Sequence, residues 1–388
     1  MVTAKKLNWQ SLLVFVYLVL FPFGQLLRMQ VLITDFKLVV HPIDVVVGLS
    51  AVWFLKRLPF WFTGSLLFSF ILSLSIFKPW ELIEGALYLL RLSVYLVYPV
   101  FYLSALKKKA VSQRLLYDAL IVCIFFVALF GWWQYFIYPD LRPLQYLGWD
   151  DHLYRLAGSF LDPGFTAIIL VLGFILAFSK YWQRKNLLYL FTAGFFSISL
   201  FFTYSRAGFV SLICALIYIL LRWNKLRFLS LFAGLIIVFI LLLPRPSSSG
   251  VELERLYSIF LRFRNYQETV AIWKKSPLFG IGYNNLCTAR VKYVGEKEAL
   301  SHSCSGSDSS LLLILSTTGI IGLVVFLQLV LKTLGHVENN VYGLAYSAGI
   351  IAVFSHSLFV NSLFYPWVMS LMGILYALGR KTISSNAE

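Results

Sequence analysis

Apolar residues fall along this chain in long runs separated by short polar connections. Crossing a hydrocarbon core takes roughly 20 helical residues at about 1.5 Å each. Runs of about that length lie near 9–27, 38–55, 59–77, 82–105, 115–138 and 163–180. Others lie near 187–203, 206–222, 226–243, 308–331, 341–358 and 360–379, so the pattern predicts twelve membrane spans. The run at 9–27 follows Lys5 and Lys6 as a signal peptide would. It is too long for a signal core, and no small-residue cleavage site follows, so it reads as the first span. Two polar connections are longer than the rest, 139–162 and 244–307. They divide the chain into spans one to five (1–138), a first loop (139–162), spans six to nine (163–243), a large loop (244–307), and three last spans with a tail (308–388). Within the large loop, Val251 to Lys275 reads as a helix, with Glu252 and Glu254 in its first turn and Lys274–Lys275 at its end before Pro277.

Composition agrees with this pattern. With 60% of 388 residues hydrophobic and 13% charged, a soluble domain would have too much apolar surface to hide. The net charge of +16 does not point to nucleic acid, because the basic residues form no single tract and recur between apolar runs. If the spans alternate, 17 basic residues but only Asp118, Glu338 and Glu388 among the acids fall on one side. By the positive-inside rule that side is cytoplasmic and holds both termini. Cys123 and Cys214 lie in apolar runs as packing residues, whereas Cys287 and Cys304 share one polar loop and would pair if that loop is extracytoplasmic. No internal repeat is evident, which weakens transporter folds built on repeats.

The candidate chemistry lies on the face opposite the lysines. Arg142, Arg155, Arg206, Arg245, Arg255, Arg262, Arg264 and Arg290 all belong there, and a guanidinium fork grips phosphate oxygens in a way an ammonium does not. The bland alternative pairs them with Asp151, Asp162, Glu254 and Glu268. Arg206 is the sharpest case, since it stands in Phe-Phe-Thr-Tyr-Ser-Arg-Ala-Gly between two apolar runs with scarcely any loop. A charge so close to hydrocarbon is costly without a partner or a wet cavity. Arg91 and Glu84 share a helix face and read as an internal ion pair, with a substrate contact as the alternative. His302 and Asp308 lie in a polar, small-residue run just before an apolar helix; each suits a general base, and Asp308 equally suits an N-cap. Walker, His-Glu-x-x-His, Cys-x-x-Cys and dinucleotide motifs are absent, and the outer carboxylates look scattered, so no metal or cofactor is expected.

Four segments together resemble the O-antigen ligase and O-antigen polymerase family of bacterial membrane glycosyltransferases. They are Arg155-Leu-Ala-Gly-Ser-Phe-Leu-Asp162-Pro163, Thr203-Tyr-Ser-Arg206-Ala-Gly, Arg264 with Pro277-Leu-Phe-Gly-Ile-Gly, and the helix from Asp308 through Gly319 and Gly322. The family's pattern has His-Asn where this chain has Asp308–Ser309, and His302 stands slightly earlier. The resemblance implies an all-α, glycosyltransferase C-like membrane protein of about 12 helices in the bacterial cytoplasmic membrane, with a large, partly helical extracytoplasmic loop. It further implies transfer of a glycan from an undecaprenyl-diphosphate donor to a hydroxyl of a glycan, lipid or protein acceptor, metal-independent and inverting. His302 or Asp308 would be the base; Arg155, Arg206 and Arg264 would hold the diphosphate; Arg91, Glu268 and Arg290 would support them. The competing readings are a lipid-linked oligosaccharide flippase, a peptidoglycan-type polymerase of the shape and division family, and a membrane scaffold.

Overall fold

The computed structural model describes residues 8–33, 36–246, 250–253, 256–295 and 306–381. Among them the fold is helical apart from one hairpin, β1 (Met29–Ile33) against β2 (Phe36–Val40), antiparallel with Met29 opposite Val40. The first half of the chain holds α1 (Trp9–Leu20), α2 (Pro42–Ala51), α3 (Phe60–Leu72), α4 (Ile83–Lys107), α5 (Gln113–Ile137), α6 (Pro163–Arg184) and α7 (Leu187–Phe201). The second holds α8 (Arg206–Arg222), α9 (Leu229–Leu242), α10 (Tyr257–Trp273), α11 (Leu286–Tyr293), α12 (Ser310–Gly335), α13 (Val341–His356) and α14 (Pro366–Gly379).

Helix α6 is the axis of the bundle. Its sequence is apolar on every side, and every residue from Thr166 to Lys180 is buried, as expected of a helix enclosed by others. α5, α7, α8 and α13 surround it; α14 joins α13 to α4, and α1 and α2 complete the far flank. At one end, Lys180 Nζ lies 3.3 Å from Asp118, Gln113 donates to the Leu378 carbonyl at 2.7 Å, and Val337 bridges to Arg380. The opposite end gathers the starts of α6, α8 and α12 with the end of α13: Leu156 N–H donates to Phe202 O at 2.9 Å and Ser310 N–H to Ser357 O at 2.9 Å.

Five helical segments among the described residues are long and apolar enough to cross a membrane: Trp9–Leu27, Pro79–Lys107, Gln113–Ile137, Pro163–Arg184 and Ser310–Gly335. The segments Pro42–Arg57 and Phe60–Ser75 pass the same test only together, bent by 103°, which would make six. Four shorter apolar helices accompany them. This is a multi-pass membrane architecture, and by length and composition it accounts for five or six of the expected twelve spans among the described residues. The runs at 38–55 and 59–77 in particular form one sharply bent pair, because Leu58–Pro59 interrupts the helix between them.

The expected loop helix is also shorter. α10 begins at Tyr257 and has no acid in its first turn. The chain at 250–253 turns instead, because Val251 is drawn into the main core and is 1% exposed.

The Pro-Leu-Phe-Gly-Ile-Gly segment and the glycine of α12 have one shared explanation. α12 breaks at Gly319, whose φ of +70° lies in the left-handed region, and residues 277–281 cross the break. Ile320 N–H donates to Pro277 O at 2.9 Å, Ile321 N–H to Leu278 O at 3.2 Å, and Ile281 N–H to Ser316 O at 3.2 Å. The crossing segment thus pairs backbone groups that the break releases. A methyl group at Gly319 would collide with the Leu278 carbonyl, and one at Gly280 with the Thr317–Thr318 peptide. Ser69 of α3 seals the crossing by donating to Phe279 O at 2.5 Å and Thr317 O at 3.1 Å.

Candidate functional site

Arg155 sits on the first loop, which Gln134 of α5 anchors by accepting from Ala157 N–H at 3.0 Å and Gly158 N–H at 3.1 Å. Arg155 is buried, at 8% exposure for the whole residue, and its Nε donates to the Thr203 carbonyl at 2.9 Å. Arg155 therefore supports the Thr-Tyr-Ser-Arg turn from beneath. Tyr204 in that turn takes a left-handed φ of 51° and donates its hydroxyl to Pro244 O at 2.6 Å. Ser205 caps α8, accepting from Gly208 N–H at 3.3 Å, so Arg206 is the first helical residue.

From there Arg206 reaches the large loop. Nη1 donates to Leu253 O at 3.2 Å and Nη2 to Ser258 Oγ at 2.7 Å, where α10 begins. One stripe of α10, spaced at helical intervals, carries Ser258, Arg262, Asn265, Tyr266 and Thr269 toward the bundle. Arg262 lies close enough to Arg206, Tyr266 and His356 to interact electrostatically with each. Tyr266 donates to Leu358 O at 2.7 Å; burial raises its phenol pKa above the usual range, with Arg262 opposing and Asp308 reinforcing the shift. Asn265 Oδ1 accepts from Asp308 N–H at 3.0 Å, fixing the start of α12 against α10.

Two arginines from different elements, a carboxylate at a helix start and a tyrosine thus meet at one end of the bundle. The arrangement suits an anion held by guanidinium forks beside a group able to take a proton. Residues 191–327 match the O-antigen ligase family. That segment runs from α7 into α12, so it contains the Arg206 turn, α10, the Gly280 crossing and Asp308, and it bears out the family resemblance. No curated protein matches the chain.

Within the O-antigen ligase segment, the residues singled out from the sequence separate. Arg206 and Asp308 come to the same end of the bundle. The capping role open to Asp308 falls instead to Ser309, which accepts from Leu312 N–H at 3.4 Å. Arg264 points elsewhere: its side chain is 69% exposed and pairs with Glu268 at 3.1 Å, one turn along the same helix. Glu268 also lies 4.0 Å from Arg290, which is fully buried and donates to Gly306 O at 3.3 Å. Glu268 and Arg290 therefore brace the loop under α10. Cys287 is disulfide-bonded while Cys123 and Cys214 are free. Its expected partner Cys304, like His302, lies outside the described residues.

Arg91 does not pair with Glu84. Its Nε donates to Asp44 Oδ1 at 2.9 Å, and Asp44 also accepts from Tyr95 at 2.6 Å and contacts His41 Nδ1 at 3.2 Å. The packing of α2 on α4 brings Asp44 to Arg91, and a carboxylate one helix away replaces the one on Arg91's own helix.

The outer carboxylates are also less scattered than they look along the chain. Asp150, His152 and Asp162 bring one ligand atom each within 4.8 Å of one another, a mixed nitrogen–oxygen set able to hold a cation. Asp162 is meanwhile the N-cap of α6, accepting from Phe165 N–H at 2.8 Å, and Arg155 stands 3.5 Å from His152.

Sequence reasoning passed over Arg262 in favour of Arg264, and missed His356. The helical stripe through Ser258, Asn265 and Thr269 was the available signal for Arg262. His356, fully buried with Nδ1 3.0 Å from Ser362 Oγ, carried none, because it closes an apolar span.

Proposed function

We propose that this protein is a glycosyltransferase of the bacterial cytoplasmic membrane, with both termini in the cytoplasm. It transfers a glycan from an undecaprenyl-diphosphate donor to an acceptor hydroxyl on the outer side, as an O-antigen ligase or polymerase does. The observation that carries this reading is the approach of Arg206 and Arg262 from two different elements beside Asp308. Two facing guanidiniums make a cradle for a diphosphate, whose charge grows as it leaves.

The chemistry follows. The acceptor O–H gives its proton to a base, Asp308 or His302. The oxygen attacks the anomeric carbon from the face opposite the diphosphate, and the bond from that carbon to the diphosphate oxygen breaks. Undecaprenyl diphosphate departs with the electron pair, its charge met by Arg206 and Arg262, while Arg155 holds the turn that presents Arg206. Attack from the opposite face inverts the anomeric centre. The donor is already activated, so neither nucleotide nor metal is required. The acceptor, whether glycan, lipid or protein, distinguishes ligase from polymerase.

The test is transfer by purified protein in detergent, from lipid-linked oligosaccharide extracted from the source organism to candidate acceptors, with and without chelator. Arg206→Ala, Asp308→Ala and His302→Ala are run beside wild type after a check of folding. Transfer that survives chelation and falls with Arg206 and one of the two bases supports the mechanism. Donor translocation in liposomes without transfer to any acceptor overturns it in favour of a flippase.

A further inference from the structure

A cavity of about 330 Å³ opens beside this site, between α4, the kinked end of α1, the first loop and the connection from α13 to α14. It lies outside the segment matched to the O-antigen ligase family except where Tyr283–Cys287, Gly306 and Leu313 close it. Its size is at the lower end of small-molecule pockets, roughly 300–1,000 Å³.

The walls combine rings with a few charged groups. Trp149 carries the Arg28 guanidinium on one face at 4.9 Å, and Tyr88 lies under Arg91 at 6.0 Å. Phe165 and Tyr365 stack at 3.9 Å. Of the charges that line the space, Arg91 is already paired with Asp44, and Arg28 and Glu84 bring one charge of each sign. Among the described residues Glu84 has no hydrogen-bonding or ionic partner, although its carboxylate lines the cavity. The cavity floor is rigid, because His41, Asp44, Arg91, Tyr95, Gln25 and Tyr365 form one connected network; His41 Nε2 lies 2.8 Å from Gln25, and Gln25 donates to the Tyr365 hydroxyl at 3.0 Å.

Gly306 and Asn361 are among the residues lining the cavity. Asn361 Oδ1 accepts from Ser310 Oγ at 3.1 Å, and Gly306 and Ser310 flank Asp308 on the same short segment. The cavity wall therefore includes a residue two positions before the carboxylate assigned to proton removal.

We propose that this cavity is the acceptor subsite, and that it takes an uncharged sugar of a glycan chain. The inference rests on the glycosyltransferase reading and names the acceptor side of that same site. A sugar ring offers apolar C–H faces that pack on aromatic rings and a rim of hydroxyls that need acceptors and donors. Trp149 and Tyr88 provide the rings, and Glu84, Arg28 and Asn361 the polar partners. A diphosphate fits poorly here, because it would face the Glu84 carboxylate; it fits the Arg206–Arg262 cradle instead. Donor and acceptor thus occupy separate places, with the Asp308 segment contributing to both.

The experiment varies acceptor and donor separately in the transfer assay, using Glu84→Gln, Trp149→Ala and Trp149→Phe. Loss of binding made equally in ground and transition states raises KM, so Glu84→Gln and Trp149→Ala should each raise acceptor KM about ten-fold. Donor KM should stay within about two-fold, and Trp149→Phe should recover most of the loss. In parallel, the oligosaccharide released from the extracted donor by mild acid is dialysed against purified protein without donor. Wild type should bind it, and the double variant Glu84→Gln/Trp149→Ala should not. Wild type that binds the oligosaccharide yet transfers nothing would sink the glycosyltransferase reading while leaving a sugar site. Unchanged acceptor KM, a rise in donor KM instead, or no oligosaccharide bound by active wild type would each overturn the acceptor assignment.

Discussion

Arg262 and Arg264 stand on the same helix, and the structure separates their roles sharply enough for a quantitative test. Arg262 faces the bundle within electrostatic reach of Arg206, whereas Arg264 is 69% exposed and held by Glu268 at 3.1 Å. If Arg262 stabilises the departing diphosphate, its removal deletes an oriented donor aimed at developing charge. Such deletions cost on the order of 10²–10³ in kcat, or about 2.7–4 kcal/mol. Arg264→Ala loses only an exposed pair one turn apart, which contributes about 0.3–0.5 kcal/mol to the helix and nothing to the transition state. The assay is initial-rate transfer with both substrates near saturation, for Arg262→Ala, Arg264→Ala, Arg262→Lys and wild type. Arg262→Ala should lose at least about a hundred-fold in kcat, and Arg262→Lys should recover only part of it, since an ammonium lacks the fork. Arg264→Ala should stay within about three-fold of wild type, the size of an effect below 1 kcal/mol. An Arg264→Ala enzyme as impaired as Arg262→Ala would refute the assignment of the α10 faces and restore the sequence-based choice of Arg264.

Two further perturbations test the scaffold. Gly319→Ala forces an L-residue into a left-handed φ against the Leu278 carbonyl, so thermal unfolding in detergent should show a loss of at least about 1–3 kcal/mol; an unchanged transition would mean that the crossing of α12 is not as described. Asp44→Asn strips the half-buried Arg91 of its counter-charge and should destabilise by about 3–5 kcal/mol; adding Arg91→Met should recover part of that, and purely additive losses would argue against a coupled pair.

The comparison of sequence with structure turns on the range of the interactions involved. The helix expected over 82–105 is Ile83–Lys107, and the one expected over 115–138 is Gln113–Ile137. A buried helix satisfies its own backbone, so a contiguous apolar run of sufficient length is nearly the whole of the information required. The same holds for Ser205 capping α8 and setting Arg206 at its first turn, a contact made between neighbours in the chain. The likeness to the O-antigen ligase family was similarly legible over 191–327, because its motifs are short and local.

Other features depend on how helices dock. The choice of Asp44 over Glu84 for Arg91 follows from the packing of α2 on α4, which no run length reveals. The break of α12 at Gly319 makes sense only once residues 277–281 are seen to cross it. The convergence of Asp150, His152 and Asp162 comes from a loop folding back on itself, where Leu141 N–H meets His152 O at 2.8 Å. The preference for Arg262 over Arg264 rests on which side of α10 meets the bundle, a rotation at which the stripe through Ser258, Asn265 and Thr269 hints and which packing decides. Local hydrogen bonding and the cost of apolar surface are written in adjacent residues. The partners of buried charges, and the walls of the cavity beside Asp308, come from residues brought together across much of the chain, and they exist only when the helices have packed.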